Sequence, residues 1–131
     1  MKKIEIDKKN FLEICNINYK VYYPLRNFMD KKDIMSVSNK MKLKNGSFFP
    51  LPIYLVVNNK FKNKCSEMSI VNLYYKNLRV CDFLIEQIFK LNINDKKKIG
   101  KAIYKTNSKK HPGYLFFLKE DGTYLSGKII N

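Results

Sequence analysis

An α+β fold is predicted, a small mixed β-barrel with about three helices packed on its outside. Runs of β-branched and aromatic residues from Met68 to Tyr75 and from Leu78 to Phe89 have strand composition. Amphipathic stretches follow Asp7, Asp30 and the Asn94-Asp95 pair, residue types that cap helix N-termini. With 131 residues, 45% of them hydrophobic, the chain has the size and apolar content of one packed domain, expected to span residues 1–131.

Taken in order, Asp7 caps a helix near residues 8 to 16, in which Phe11, Leu12, Ile14 and Cys15 recur on one face. Tyr19 to Tyr23 is expected to be extended, because the residue before Pro24 is pushed toward β geometry. Asp30 caps a second helix with Ile34, Val37 and Met41 inward and Lys31, Lys32 and Lys40 outward, and Asn45-Gly46 closes it or forms the next turn. Pro50 and Pro52 cannot donate to a ladder, so this segment enters a sheet at an edge, with Ile53 to Val57 as the strand and Asn58-Asn59 as the turn after it. Lys76-Asn77 joins the two long strands as a hairpin. A third helix, capped by Asn94 or Asp95, carries Ile99, Ala102 and Ile103. His111-Pro112-Gly113 then leads into a strand from Tyr114 to Leu118, and Glu120-Asp121-Gly122 turns into a last strand, Thr123 to Ser126.

Charge is the compositional anomaly: 26 Lys+Arg face 11 Asp+Glu, a formal +15. Such a surplus favours anionic partners, nucleic acid among them. Nearly all of it is lysine in a chain also rich in asparagine and isoleucine, so coding bias toward a solvated basic coat is the alternative. Cys15, Cys65 and Cys81 are odd in number and lack Cys-x-x-Cys spacing, which argues against a zinc site or a disulfide framework, and no metal or cofactor is expected. Met1-Lys2-Lys3 runs into the charged Ile4-Glu5-Ile6-Asp7, so there is no signal-peptide core, and no apolar run reaches the roughly 18 residues of a membrane span. A reduced, cytoplasmic location without membrane contact is expected.

No residue pattern demands catalysis. Asp30 with Asp33 suits a helix N-terminus, and Glu120 with Asp121 suits a turn. His111 has no Ser or Cys beside it in sequence and is expected to serve a turn, while Cys81, in an apolar strand, is expected in the core. For anion or nucleic-acid binding the candidates are Lys60, Lys62 and Lys64, Lys96, Lys97 and Lys98, and Lys109 and Lys110. The first trio shares one side if the backbone is extended, the others bracket the third helix, and Phe61, Tyr104 and Tyr114 would offer rings for stacking. Aromatic rings so spaced also fill small cores.

Tyr22-Tyr23-Pro24-Leu25-Arg26-Asn27-Phe28-Met29, followed by Met41-Lys42-Leu43-Lys44-Asn45-Gly46-Ser47-Phe48-Phe49-Pro50-Leu51-Pro52-Ile53, resembles the N-terminal domain of sulfate adenylyltransferase (ATP sulfurylase). That domain carries Ser-Pro-Leu-x-Gly-Phe-Met and then Met-Arg-Leu-x-x-Gly-x-x-x-Pro-x-Pro-Ile. His111-Pro112-Gly113 and Tyr124-Leu125-Ser126-Gly127-Lys128-Ile129 fit in the same order, the last against Tyr-Leu-Gly-Gly-x-Ile. The resemblance implies a PUA-like barrel, a fold with RNA-binding members, in which Pro24, Leu25, Phe28, Met29, Gly46, Pro50, Pro52, His111, Pro112, Gly113 and Gly127 are structural. Asn27 stands where the family has glycine, Ser126 where it has the first glycine of the last motif, and Tyr23 where it has serine. Asparagine tolerates a left-handed turn, so these changes put a family-like domain interface in doubt rather than the fold.

The family's adenylyl transfer belongs to a separate domain marked by Gln-x-Arg-Asn-Pro, a His-x-x-His pair and Gly-Arg-Asp. These 131 residues hold one histidine, and neither Arg26 nor Arg79 precedes Asn-Pro, so the convergent cations that phosphoryl chemistry needs are missing. A non-catalytic binding or accessory module related to sulfate activation is expected. An RNA- or DNA-binding module, and a split sulfurylase half active only with a catalytic partner, are the alternatives. Oligomeric state is left open.

Overall fold

A computed structural model describes residues 1–130. β1 (Lys2–Glu5) leads into α1 (Lys8–Asn18), followed by α2 (Lys31–Lys40), β2 (Leu55–Asn58) and a 3₁₀ helix (Asn59–Lys64). The hairpin of β3 (Ile70–Tyr75) and β4 (Leu78–Phe89) comes next, then α3 (Ile93–Tyr104), α4 (Pro112–Lys119) and β5 (Gly122–Ile130). The strands form one five-stranded sheet in the order β1-β3-β4-β5-β2, with β1 parallel to β3 and the other neighbours antiparallel.

The fold is α+β as expected, but the sheet is not closed into a barrel. The two edges are turned to other uses. The chain leaves β1 directly into α1, whose buried Asn10 donates its Nδ2 to Val56 O of β2 at 2.7 Å. On the other edge Lys64 Nζ donates to Lys3 O at 3.1 Å. Side-chain donors thus satisfy edge carbonyls that ladder bonds would otherwise take, and blunt both edges against pairing.

Each helix begins on a side-chain cap. Asp7 accepts from Asn10 N and Asp30 from Asp33 N, as the sequence predicts. α3 starts two or three residues earlier than expected, on Asn92, because Asn92 and Asp95 form a reciprocal capping box. Ile34 and Val37 of α2 are buried, whereas Met41 is the exposed left-handed C-cap.

Several local expectations are corrected. The expected strand from Tyr114 to Leu118 is helix α4: His111 Nδ1 accepts from Tyr114 N at 3.2 Å and Pro112 occupies the first turn. An apolar run this short fits strand or helix by periodicity, and the cap decides. Tyr19 to Tyr23 forms turns, with Val21 N on Asn16 O at 2.9 Å, because Lys20 takes a left-handed φ of 61°. Asn58-Asn59 opens the 3₁₀ helix, Asn58 capping it through Lys60 N. β1, read in sequence only as a charged stretch without a signal-peptide core, hides its strand pattern between charges, with Ile4 and the following Ile6 buried. The Lys76-Asn77 turn is confirmed, both residues having positive φ as a tight hairpin of the primed type requires. Cys81 alternates with Phe83 and Ile85 into the core, where burial pushes its thiol pKa up to about 11. That makes it an inert core residue.

Candidate functional site

Three of the four segments that carry the motifs, residues 22–29, 41–53 and 124–129, contribute to one groove beside the N-terminus of α2. Asn27, Phe28, Asp30, Asp33, Lys44, Glu86, Gln87, Ser126 and Gly127 line a polar groove of about 390 Å³. Asp30 caps α2 with one carboxylate oxygen and meets Lys44 Nζ at 2.5 Å with the other. Asp33 Oδ1 accepts from Lys44 N at 2.8 Å, so the Met41–Gly46 segment is strapped to α2 twice. Gly46, at φ +92°, closes the turn that contains Lys44, its N–H donating to Leu43 O at 2.9 Å. Gln87 Oε1 accepts from Lys31 N at 3.0 Å.

Asn27 is not left-handed, contrary to expectation. Its Oδ1 instead accepts from Ile129 N at 3.0 Å and pins the Pro24–Met29 segment to β5. Behind it Phe28 is buried edge-on to Phe83, and Met29 N donates to Ile53 O at 3.0 Å. Of the two glycine positions in the family's last motif, the retained one is sterically demanding. A Cβ on Gly127 would lie 1.8 Å from Leu84 O, where β4 bulges against β5. Ser126 is buried at the neighbouring position.

Burial works against the Asp30 carboxylate, but hydrogen bonds from Lys44 and the Asp33 amide, with the charges of Lys44 and Lys32, outweigh it and hold the pKa below normal. Lys44 is correspondingly raised by its hydrogen bond to Asp30. These groups hold the fold, and the groove is lined by neither an imidazole nor a thiol. His111, Pro112 and Gly113 lie outside it, at the start of α4, where a Cβ on Gly113 would meet the Tyr104 ring at 2.7 Å. Glu86 and Gln87, which sequence reading missed, enter the groove from β4. Their only signal was the retained Gly127, since the bulge it faces places them there.

The lysine candidates are dispersed. Lys60, Lys62 and Lys64 sit on a 3₁₀ helix rather than an extended strand, so residues two apart point about 240° from one another. Lys60 and Lys64 both approach the Phe61 ring, at 5.1 and 5.6 Å. Lys96, Lys97 and Lys98 lie within α3 instead of bracketing it. Lys96 is buried and its ammonium donates to Glu120 O, while Lys97 and Lys98 are exposed. Lys109 and Lys110 are exposed in the turn before α4. Tyr114 is buried and unavailable for stacking, and Tyr104 packs beside His111.

Glu120 and Asp121 form part of a second polar cleft of about 340 Å³ with Glu5, Asp7 and Asn10. Burial raises the Glu120 pKa, with Lys9 and Lys96 opposing, and burial lowers that of Lys9, which donates to Tyr54 Oη at 2.7 Å. Among the described residues no group of three or more His, Cys, Asp or Glu has the arrangement to hold a metal ion.

Similarity to known proteins follows the motif geometry. Sulfate adenylyltransferase of Ignicoccus hospitalis is 28% identical over 130 residues, covering 99% of this chain and 33% of that enzyme. The enzyme of Entamoeba histolytica is 28% identical over 131 residues, 97% of this chain and 31% of its own length. The chain therefore spans about a third of the length of these curated relatives. Among solved structures, the hexameric APS kinase from Thiobacillus denitrificans superposes with a TM-score of 0.71 at 15% identity, over 99% of this chain and 21% of that one, which establishes likeness of fold. The pattern of the PUA-like domain family matches residues 1–131. The chain belongs to the PUA-like domain family, in the form found in sulfate adenylyltransferases.

Proposed function

We propose that residues 1–131 act as one non-catalytic accessory domain that docks a catalytic subunit of the sulfurylase type. The observation that carries this reading is the groove of Asn27, Asp30, Lys44, Ser126 and Gly127. It brings residues from three of the four motif-bearing segments to one surface, ties them down with internal bonds, and offers no cation cluster for phosphoryl transfer. A surface so preorganised suits recognition more than chemistry. Three unpaired cysteines, one buried and two half-buried, fit a reducing compartment.

The test uses a sulfate adenylyltransferase from which the third matching this chain has been deleted. The purified chain alone should release no pyrophosphate from ATP and sulfate above a boiled control. Binding to the truncated enzyme in titration calorimetry, weakened by Lys44→Glu, supports the proposal, and restored activity would assign the chain as a split sulfurylase half. Activity of the chain alone, or no association with the truncated enzyme, refutes it.

A second reading, nucleic-acid binding, is favoured by the Phe61 ring flanked by the Lys60 and Lys64 ammonium groups. Retention on RNA at low ionic strength, with a preference for one RNA structure, is the result it requires.

A further inference from the structure

α2 and α3 run side by side in the same direction. Lys31 and Asp95, near their starts, approach to 3.7 Å, and Met41 and Lys105, at their ends, line a common groove of about 420 Å³. The length of α2 sets this groove about 15 Å from the Asp30 end, so it is distinct from the motif groove. Val37, Met41, Pro50 and Ala102 give it an apolar floor, and no carboxylate lines it. Its rim is Lys98, Lys101 and Lys105, exposed and spaced i, i+3, i+7 on one face of α3. Ser38 also lines it, and its hydroxyl is buried without a hydrogen-bond partner among the described residues.

Lysines near helix C-termini stabilise the negative ends of the dipoles, which accounts for Lys101 and Lys105. It does not account for Lys98, a turn earlier, nor for the uncovered Met41 and Pro50. Phe49 N donates to Met41 O at 2.8 Å, so exposed Phe48 and Pro50 flank the same stretch of backbone and extend the apolar surface. An apolar floor with a rim of one charge sign has the chemistry of a groove for an amphipathic helix of the opposite sign.

We propose that this groove docks an acidic amphipathic helix of a partner protein, its apolar face on Met41, Pro50 and Ala102 and its carboxylates on Lys98, Lys101 and Lys105. Nucleic acid is the less suited occupant, because the exposed Phe48 ring stands beside the groove and not in its lining, which leaves a base on the floor without a ring to stack on. The inference does not rest on the sulfurylase reading.

The probe is a fluorescein-labelled synthetic helix of Glu, Ala and Leu with leucines at i, i+4 and i+7, compared with a scrambled peptide of identical composition. Fluorescence anisotropy with the full chain should show the amphipathic peptide binding at least about tenfold more tightly than the scrambled one. The triple variant K98E/K101E/K105E and the single variant Met41→Asp should each weaken it by about tenfold or more, since rim charge and apolar contact both contribute. All four side chains are exposed, and circular dichroism confirms that the variants are folded. NMR amide shifts at Ser38 and Ala102 on titration would locate the peptide. Equal binding of the two peptides would reduce the rim to a nonspecific basic coat and overturn the proposal, as would unchanged affinity in the triple variant or no binding at all. An RNA oligonucleotide that binds more tightly than the peptide and loses as much in the triple variant would assign the groove to nucleic acid instead, and equally overturn it.

Discussion

A Cβ on Gly127 would stand 1.8 Å from Leu84 O on a backbone whose φ of +156° already disfavours any side chain, so neither strand can yield without losing ladder bonds. Gly127→Ala should therefore cost about 3 kcal/mol or more and lower the melting temperature by about 10 °C, read by thermal circular dichroism. Ser126→Gly restores the family pattern but adds freedom to the unfolded chain at a position without positive φ, and should destabilise by about 0.5 to 1 kcal/mol. Asp30 carries a pH signature. Its folded pKa lies below the ordinary 3.8, so the stability it contributes is complete above that value and is lost as pH falls through the folded pKa. The stability gap between the protein and Asp30→Asn, measured by urea unfolding, should be present at neutral pH and shrink below about pH 4. A gap independent of pH would mean that neither the Lys44 pair nor the cap favours the ionised carboxylate in the folded protein.

Elements whose signal is local were legible in the sequence, and elements set by tertiary contact were not. Asp7 and Asp30 announce α1 and α2 because a cap is a short-range hydrogen bond, and Lys76-Asn77 announces the β3–β4 hairpin because a tight turn needs two residues tolerant of positive φ. α4 was misread as a strand because Tyr114–Leu118 is a short apolar run without clear period. The deciding fact is an imidazole cap on Tyr114 N, a role histidine seldom signals. β1 was missed because its edge position shows only Ile4 and Ile6 as apolar alternation. The motif groove was legible through Phe28 and Gly127, whereas Glu86 and Gln87 reach it only through a bulge. Asn10 tests the element scale directly, since its Nδ2 satisfies Val56 O where closure of the sheet would have placed a strand. Asn10→Leu should leave that buried carbonyl unpaired and cost about 1 to 3 kcal/mol, with faster amide exchange in β2 by hydrogen-exchange mass spectrometry.

For the molecule as a whole, the question is whether a formal charge of +15 acts as one field or as separate patches. The structure divides it. Lys96 is turned inward, Lys44 and Lys31 are paired with Asp30 and Asp95, and Lys98, Lys101 and Lys105 rim an apolar groove. Lys60 and Lys64 meet around Phe61 on a 3₁₀ helix that turns Lys62 to another side. Phosphate contacts release counterions, so for single-stranded nucleic acid log K falls by about 0.7 per phosphate as log salt rises. An extended trio would contribute three such contacts along one backbone, but this helix presents two at most to the same strand. Replacing Lys60, Lys62 and Lys64 together by glutamine should therefore flatten the salt slope for a single-stranded RNA by about 1.4 rather than about 2. Phe61→Ala should weaken binding by roughly 1 to 3 kcal/mol without changing the slope, because stacking releases no ions. Filter binding from low to moderate salt separates the two. A slope that stays the same in the lysine variant would show that any RNA retained on this protein is held by its diffuse charge and not by the 3₁₀ helix.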